Sequence, residues 1–202
     1  MFKLIKRIKE AIGLSELEVK VKKLNKSANI PKYAHDGDVG MDIVTIWMEY
    51  DDKEDMYIYG TGLSLETDKH YGVLLFPRSS NMRTEAYLCN HVGVVDSALY
   101  RGEIKFMFKN RDSLQSIINN KKLEIIENEM IENGGILTAD SMKKLSQAEK
   151  KIRNNPELYA PYKVGERIGQ MVVIPYPNVK ITEKNELSET VRGEGGFGST
   201  GK

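Results

Sequence analysis

The sequence closes with RGEGGFGSTGK, residues 192–202, a stretch holding five glycines, an arginine, an aromatic ring and two hydroxyl side chains. Gly196 to Lys202 has the G-x-x-x-x-G-K spacing of a P-loop. A P-loop also needs a strand before it, a helix after it and a following hydroxyl, and the sequence shows none of these. What remains is phosphate chemistry without that scaffold. Glycines let backbone N–H groups close on a phosphate, Ser199 and Thr200 can donate to it, Arg192 brings charge, and Phe197 can stack on a base. Upstream, Arg78, Ser79 and Ser80 follow an apolar run in FPRSSNMR. There a guanidinium can grip a phosphate bidentately while hydroxyls donate to bridging oxygens, although the same letters also fit a solvated turn. Asp96 stands after two valines in HVGVVDSALYRGE. Strand pattern carries it toward a partly desolvated position of the kind a water-activating base requires; the plainer alternative is an acid that starts a turn. Asp42, at a strand start in DVGMDIV, can orient a magnesium-bound water or serve as a turn acid. Gln170 is a polar residue at the head of an apolar strand in GERIGQMVV.

These residues need a scaffold. The 202-residue chain is long enough to bury a sizeable core as one domain with additions. Thirty Lys and Arg against 29 Asp and Glu leave a formal charge of +1, so nothing in the total draws the chain to nucleic acid or to a membrane. The single cysteine, Cys89, excludes an internal disulfide framework and fits a reducing cytoplasm. No apolar run approaches the ~20 residues of a membrane-spanning helix. Residues 1–17 place Phe2, Ile5, Ile8 and Ile12 at helical spacing with lysines opposite, an amphipathic helix. From 18 to 110 short strands alternate with Gly- and Asp-rich turns: ELEVKVKKL, MDIVTIWM, MYIYG, YGVLLFP and GEIKFMFKN. Such spacing points to an antiparallel barrel or sandwich. Residues 111–159 break the pattern with helical periodicity, and Met142, Leu145, Ala148 and Ile152 predict a helix starting near Asp140 or Ser141. The segment reads as a partly helical insertion between two strands, because strand character returns in YKVGERIGQMVVIPY, within residues 160–178. Residues 179–202 hold few large apolar side chains and read as an arm.

No one of these motifs is specific, but their order is. DVGMDI, PRSS, NHVGVVDSALYRGEI, GERIGQ and RGEGGFGSTG resemble, in sequence order, the five motifs of the homotrimeric dUTPase family. The resemblance implies a jelly-roll-like, distorted β-barrel subunit, a homotrimer with three shared active sites, and a C-terminal arm that closes over a site built by its neighbours. It also implies Mg²⁺-dependent hydrolysis of dUTP to dUMP and pyrophosphate, with water attacking the α-phosphorus. By position, Asp96 matches the acid that activates the water, and Asn90 the side chain that pairs with uracil beside the backbone of Gly93 and Val94. Tyr100 matches the tyrosine under deoxyribose. Arg78, Ser79, Ser80 and Gln170 match phosphate contacts, and Asp42 the acid near the water shell of the metal. Arg192, Gly198, Ser199 and Thr200 match groups on the outer phosphates, with Phe197 over uracil. In this chain three residues, Ser97 to Leu99, separate Asp96 from Tyr100 where the family usually has two, which makes Leu99 a second candidate for the sugar surface.

Two other readings stay open at this stage. A dCTP deaminase shares the fold and an R-S-S-x-x-R element like Arg78 to Arg83, but the place of its proton-shuttling glutamate is taken by Met107, which transfers no proton. A regulatory protein derived from the family, binding a protein partner through residues 111–159, is the third, since an insertion of that length exceeds an ordinary strand connection. Phage and bacterial origins fit the composition equally.

Overall fold

The structure, a computed structural model, describes residues 17–194. The helix expected over residues 1–17 lies, all but its last residue, outside the described residues, as do Phe197, Gly198, Ser199 and Thr200.

Among the described residues ten strands form three antiparallel sheets. Strands β1 (Lys20–Lys23) and β5 (Leu63–Glu66) make a small ribbon. One four-stranded sheet is ordered β2 (Met41–Val44), β10 (Arg167–Pro175), β6 (Tyr71–Pro77), β8 (Gly93–Val95). The other runs β3 (Trp47–Asp51), β4 (Met56–Gly60), β9 (Lys105–Asn110), β7 (Ala86–Leu88). Among the described residues the architecture is thus mainly β with two helices, as the turn-punctuated strand pattern predicts. The stretch MDIVTIWM, which reads as one strand, is two. Thr45, fully buried, donates its hydroxyl to the carbonyls of Trp47 and Gly60, and the chain turns there from one sheet into the other.

The two larger sheets close on a shared core. Ile43, Val73, Leu75, Ile168 and Met171 come from one, and Tyr57, Tyr59, Leu88, Phe106 and Phe108 from the other. Alternation along β9 sends Phe106 and Phe108 inward, where both are fully buried. Their contact with β10 is close enough to require glycine: a Cβ on Gly169 would sit 2.2 Å from the Phe106 ring and 2.9 Å from the Phe76 carbonyl oxygen. Tyr59 is buried without strain, because its hydroxyl donates to the Tyr162 carbonyl at 2.9 Å and accepts from the Tyr162 N–H at 3.1 Å.

Between β9 and β10 the chain leaves the sandwich as a helical hairpin, α1 (Leu114–Glu132) and α2 (Ala139–Arg153). Ser113 caps α1 through the Ser116 N–H, and Thr138 with Ser141 forms a reciprocal capping box that starts α2 close to the predicted point. The hairpin docks on the sandwich through its base: Leu114 and Ile118 of α1 and Ile152 of α2 pack with Tyr50 and Tyr159. Farther out, Glu129 is buried and holds the hairpin together. Its carboxylate accepts from Ser141 Oγ at 2.6 Å, from Lys144 Nζ at 2.5 Å and from Asn133 Nδ2 at 3.3 Å. After β10, residues 176–194 carry no helix or strand and are exposed throughout.

Candidate active site

Side chains named from the sequence gather at the two opposite edges of the sheet β2-β10-β6-β8. At the β8 edge, a cavity of about 270 Å³ opens beside the strand. Its wall includes Asn90, Gly93, Val94, Asp96 and Tyr100, five residues named from the sequence. Strand β8 pairs with β6 through Gly93↔Leu75 and Val95↔Val73. A Cβ on Gly93 would stand 3.0 Å from the Leu75 Cβ, so glycine lets the two strands and the cavity floor meet. The Asp96 carboxylate is exposed and makes no hydrogen bond or ion pair with any described side chain or backbone group. Its main-chain carbonyl, by contrast, accepts from both Leu99 N at 2.8 Å and Tyr100 N at 2.7 Å. That tight turn closes over Ser97, Ala98 and Leu99. Tyr100 reaches the cavity and donates its hydroxyl to the Glu103 carbonyl at 3.2 Å, while Leu99 is 84% exposed and does not line it.

The opposite wall comes from residues that motif matching did not single out as binding groups. Glu103, Lys105 and Met107 alternate with the buried Ile104 and Phe106, and all three line the cavity. The signal was present in GEIKFMFKN: period-two spacing puts the first, third and fifth of these residues on one face. Glu103 is fixed by two bonds to Oε1, from Trp47 Nε1 at 3.0 Å and from the Gly62 N–H at 2.7 Å, and the Lys105 ammonium lies 5.0 Å from the centre of the Trp47 ring. Met107 therefore stands in the cavity wall, where its thioether supplies contact surface and no acid–base group.

At the β2 edge, Asp42 gathers the cationic and amide groups. Arg78 Nε donates to Oδ1 at 2.9 Å, Gln170 Nε2 to the same oxygen at 3.2 Å, and Arg167 Nη1 to Oδ2 at 3.1 Å. Only 11% of the Asp42 side chain remains exposed. Arg167 did not stand out in the sequence, because residues 167 and 170 of an even strand point to opposite faces. A bulge between Arg167 and Gly169 removes that restriction: Arg167 pairs with Val44 and Gln170 with Asp42, so both side chains reach one carboxylate. Ser79 and Ser80 open a 3-10 turn, Ser79–Arg83, directly after Arg78. Arg192 is exposed, beyond the last strand.

The two groups are far apart within one chain. Continuing the β6–β8 register places Asp96 level with Gly72, six residues from Arg78 along β6. At a rise of about 3.3 Å per residue this is roughly 20 Å, more than a nucleotide triphosphate spans between its α-phosphorus and the groups on its outer phosphates.

The described residues thus form a mainly β protein with a polar cavity at one sheet edge and an arginine cluster at the other. Comparison with known proteins narrows this class. A family model described as dUTPase matches residues 26–123 and 127–201. The deoxyuridine 5'-triphosphate nucleotidohydrolase of Alkaliphilus metalliredigens is 30% identical over 184 residues, covering 91% of this chain and 96% of that protein. The protein of the same name from Nautilia profundicola is 32% identical over 187 residues, covering 92% and 100%. Among solved structures, the dUTPase of Staphylococcus bacteriophage 80alpha with dUPNHPP superposes with a TM-score of 0.57 at 22% identity, covering 92% of this chain and 99% of that one. The chain belongs to the dUTPase family.

Proposed function

We propose that this protein is a dUTP diphosphatase, hydrolysing dUTP to dUMP and pyrophosphate. Family membership, together with relatives named for this activity that match nearly their whole length, supports the reaction. The observation in the molecule that carries it is the cavity joining Asn90, Asp96 and Tyr100. Asn90 offers both an amide donor and a carbonyl acceptor, the complement of a uracil edge, and the backbone around Gly93 and Val94 completes that edge. Tyr100 provides the flat surface under the sugar. Asp96, with both carboxylate oxygens uncommitted, accepts the proton of the attacking water as that water adds to the α-phosphorus. Its pyrophosphate leaving group is received by donors already arranged: Arg78, Ser79, Ser80 and Gln170, with Arg167 added to the set. Arg192, Phe197, Gly198, Ser199 and Thr200 of the arm are assigned to the outer phosphates and the base, closing the site from a third direction.

The roughly 20 Å between Asp96 and Arg78 within one chain supports a shared site, in which the cavity of one subunit faces the arginine cluster of another in a homotrimer. A mass of three chains in light scattering is the expected result; a monomer that turns over dUTP at full rate removes this assembly.

A divalent cation fits the site in one manner. Oδ1 of Asp42 already takes two donors and Oδ2 takes one, and the described residues contain no cluster of three acidic, His or Cys side chains that could hold a metal ion. A carboxylate offers about four acceptor positions, so Oδ2 retains one for a metal-bound water. We assign Mg²⁺ as the ion, carried in on the phosphates with its water shell touching Asp42; when bound it neutralises charge on the triphosphate.

A nucleotide screen that measures pyrophosphate and ammonia together tests the activity. Pyrophosphate from dUTP alone is expected, and ammonia from dCTP would replace this reading with a deaminase. A second role, protein-partner binding through residues 111–159, is favoured by one observation: Met130, Ile131, Ile136, Leu137 and Met142 are exposed around the far end of the hairpin. Replacing 113–158 by a short linker should leave dUTP hydrolysis and remove partner capture from host extract; unchanged capture would dispose of this role.

A further inference from the structure

Among the described residues the side chain of Asp96 has no hydrogen bond to hold it, so its direction is set by the backbone of the turn Asp96–Tyr100. That turn is gripped on both sides. Beneath it, Ser97 is fully buried, and its hydroxyl lies 2.6 Å from Thr67 Oγ1. Because Thr67 gives its own proton to the Tyr71 carbonyl at 3.0 Å, Ser97 is the donor of this pair. Above it, one guanidinium collects the carbonyls of the turn: Arg101 Nη1 donates to Ser97 O at 2.9 Å and to Tyr100 O at 3.0 Å, and Nη2 donates to Ala98 O at 3.2 Å. The guanidinium is itself aimed, since Nη2 also meets Glu66 Oε2 at 3.1 Å, and Glu66 Oε1 takes Lys20 Nζ at 2.8 Å. A planar fork with five N–H donors suits several carbonyls at once; an ammonium on a flexible stem does not.

We propose that Arg101 is a positioning residue for hydrolysis: by chelating three carbonyls of the turn it fixes Asp96 against the attacking water and Tyr100 against the sugar, with Glu66 and Lys20 of the β1–β5 ribbon holding the guanidinium in aim. This rests on the reading of Asp96 as the base. The bonded partners of the guanidinium, three carbonyls of the turn and the Glu66 carboxylate, are all acceptors.

The test compares Arg101→Gln, Arg101→Lys and Glu66→Gln in the full-length protein, reading kcat separately from the affinity for a non-hydrolysable dUTP analogue by calorimetry. A misdirected base of this sort lowers kcat by about 10- to 100-fold, while the affinity is expected to stay within a few-fold. Arg101→Lys should recover part of the loss, Glu66→Gln should show a smaller loss, and Glu66→Gln should add little in an Arg101→Gln background. Wild-type kcat in Arg101→Gln overturns the proposal, and so does a fall in kcat matched by an equal loss of affinity. Asp96→Asn serves as the reference: if it remains fully active, the assigned chemistry fails, whereas an inactive Asp96→Asn beside a fully active Arg101→Gln sinks only the positioning role. Should Arg101→Gln not fold, Glu66→Gln carries the same comparison.

Discussion

Asp96 and Asp42 are both acids at the margins of one four-stranded sheet, and their surroundings are opposite. Asp96 is exposed beside a cavity with its oxygens unengaged, whereas Asp42 is nearly covered, with three donors on two oxygens. A base must keep a lone pair for the proton it will take. In the proposed site an organiser must give its lone pairs away, because the two arginines assigned to phosphate would otherwise repel each other. The proposed site thus gives the same side chain two roles, set by what the neighbouring strands bring to it.

The sharpest way to break this contrast is Asp96→Asn, which keeps shape and removes the basic oxygen. Turnover of dUTP should fall by roughly 10²- to 10⁴-fold, with the melting temperature unchanged; retained turnover would mean that the free carboxylate is not the base. Next in size is a complementation experiment that uses the separation of the two regions. Asp96→Asn and Arg78→Ala proteins, each inactive, are unfolded together and refolded as mixed trimers. If each site pairs the cavity of one subunit with the cluster of another, about a quarter of sites become intact under random mixing in a cyclic trimer. A site confined to one chain would give no recovery. Asp42→Asn comes third. Releasing Arg78 and Arg167 should lower kcat/KM by about 10- to 100-fold through loss of charge-assisted hydrogen bonds, chiefly in KM, and an effect as large as that of Asp96→Asn would erase the distinction between the two acids.

The smallest effect on activity belongs to a third acid, far from both. Lys144 first, and then Ser141, hold the Glu129 carboxyl below the usual carboxylate range. A group depressed in the folded state stabilises it above the unfolded value of about 4.3 and loses that contribution as the pH falls through its folded value. Helical signal from the hairpin should therefore weaken below about pH 4, and Glu129→Gln should melt the hairpin earlier at neutral pH, flatten its acid dependence and leave dUTP turnover unchanged. A change in turnover would tie the hairpin to the site.

Local chemistry was legible where one residue carries it alone. The strand pattern predicts an antiparallel barrel or sandwich, helical spacing in residues 111–159 predicts helices, and the Thr138–Ser141 cap lies close to the predicted start. Asn90, Asp96 and Tyr100 follow from motif order and meet in one cavity. What the sequence does not display is anything that depends on register. The bulge that turns Arg167 toward Asp42 has no composition signature, and the break of MDIVTIWM into two strands depends on what the buried Thr45 finds across the fold. The three carbonyls that converge on Arg101 come together only when the turn before it closes. Asp42 reads as an acid with room for a cation, and only the meeting of β2, β6 and β10 fills most of that room with guanidinium and amide groups.

Trp47 is the one tryptophan of the chain, and its indole N–H is tied to Glu103, a wall residue of the cavity, with the Lys105 ammonium over its ring. The protein therefore carries its own optical probe at the place where the nucleotide is assigned to sit. Occupation of the cavity should shift the emission of a single, unambiguous fluorophore, so that binding can be timed in a stopped-flow instrument apart from the chemical step, with no label attached.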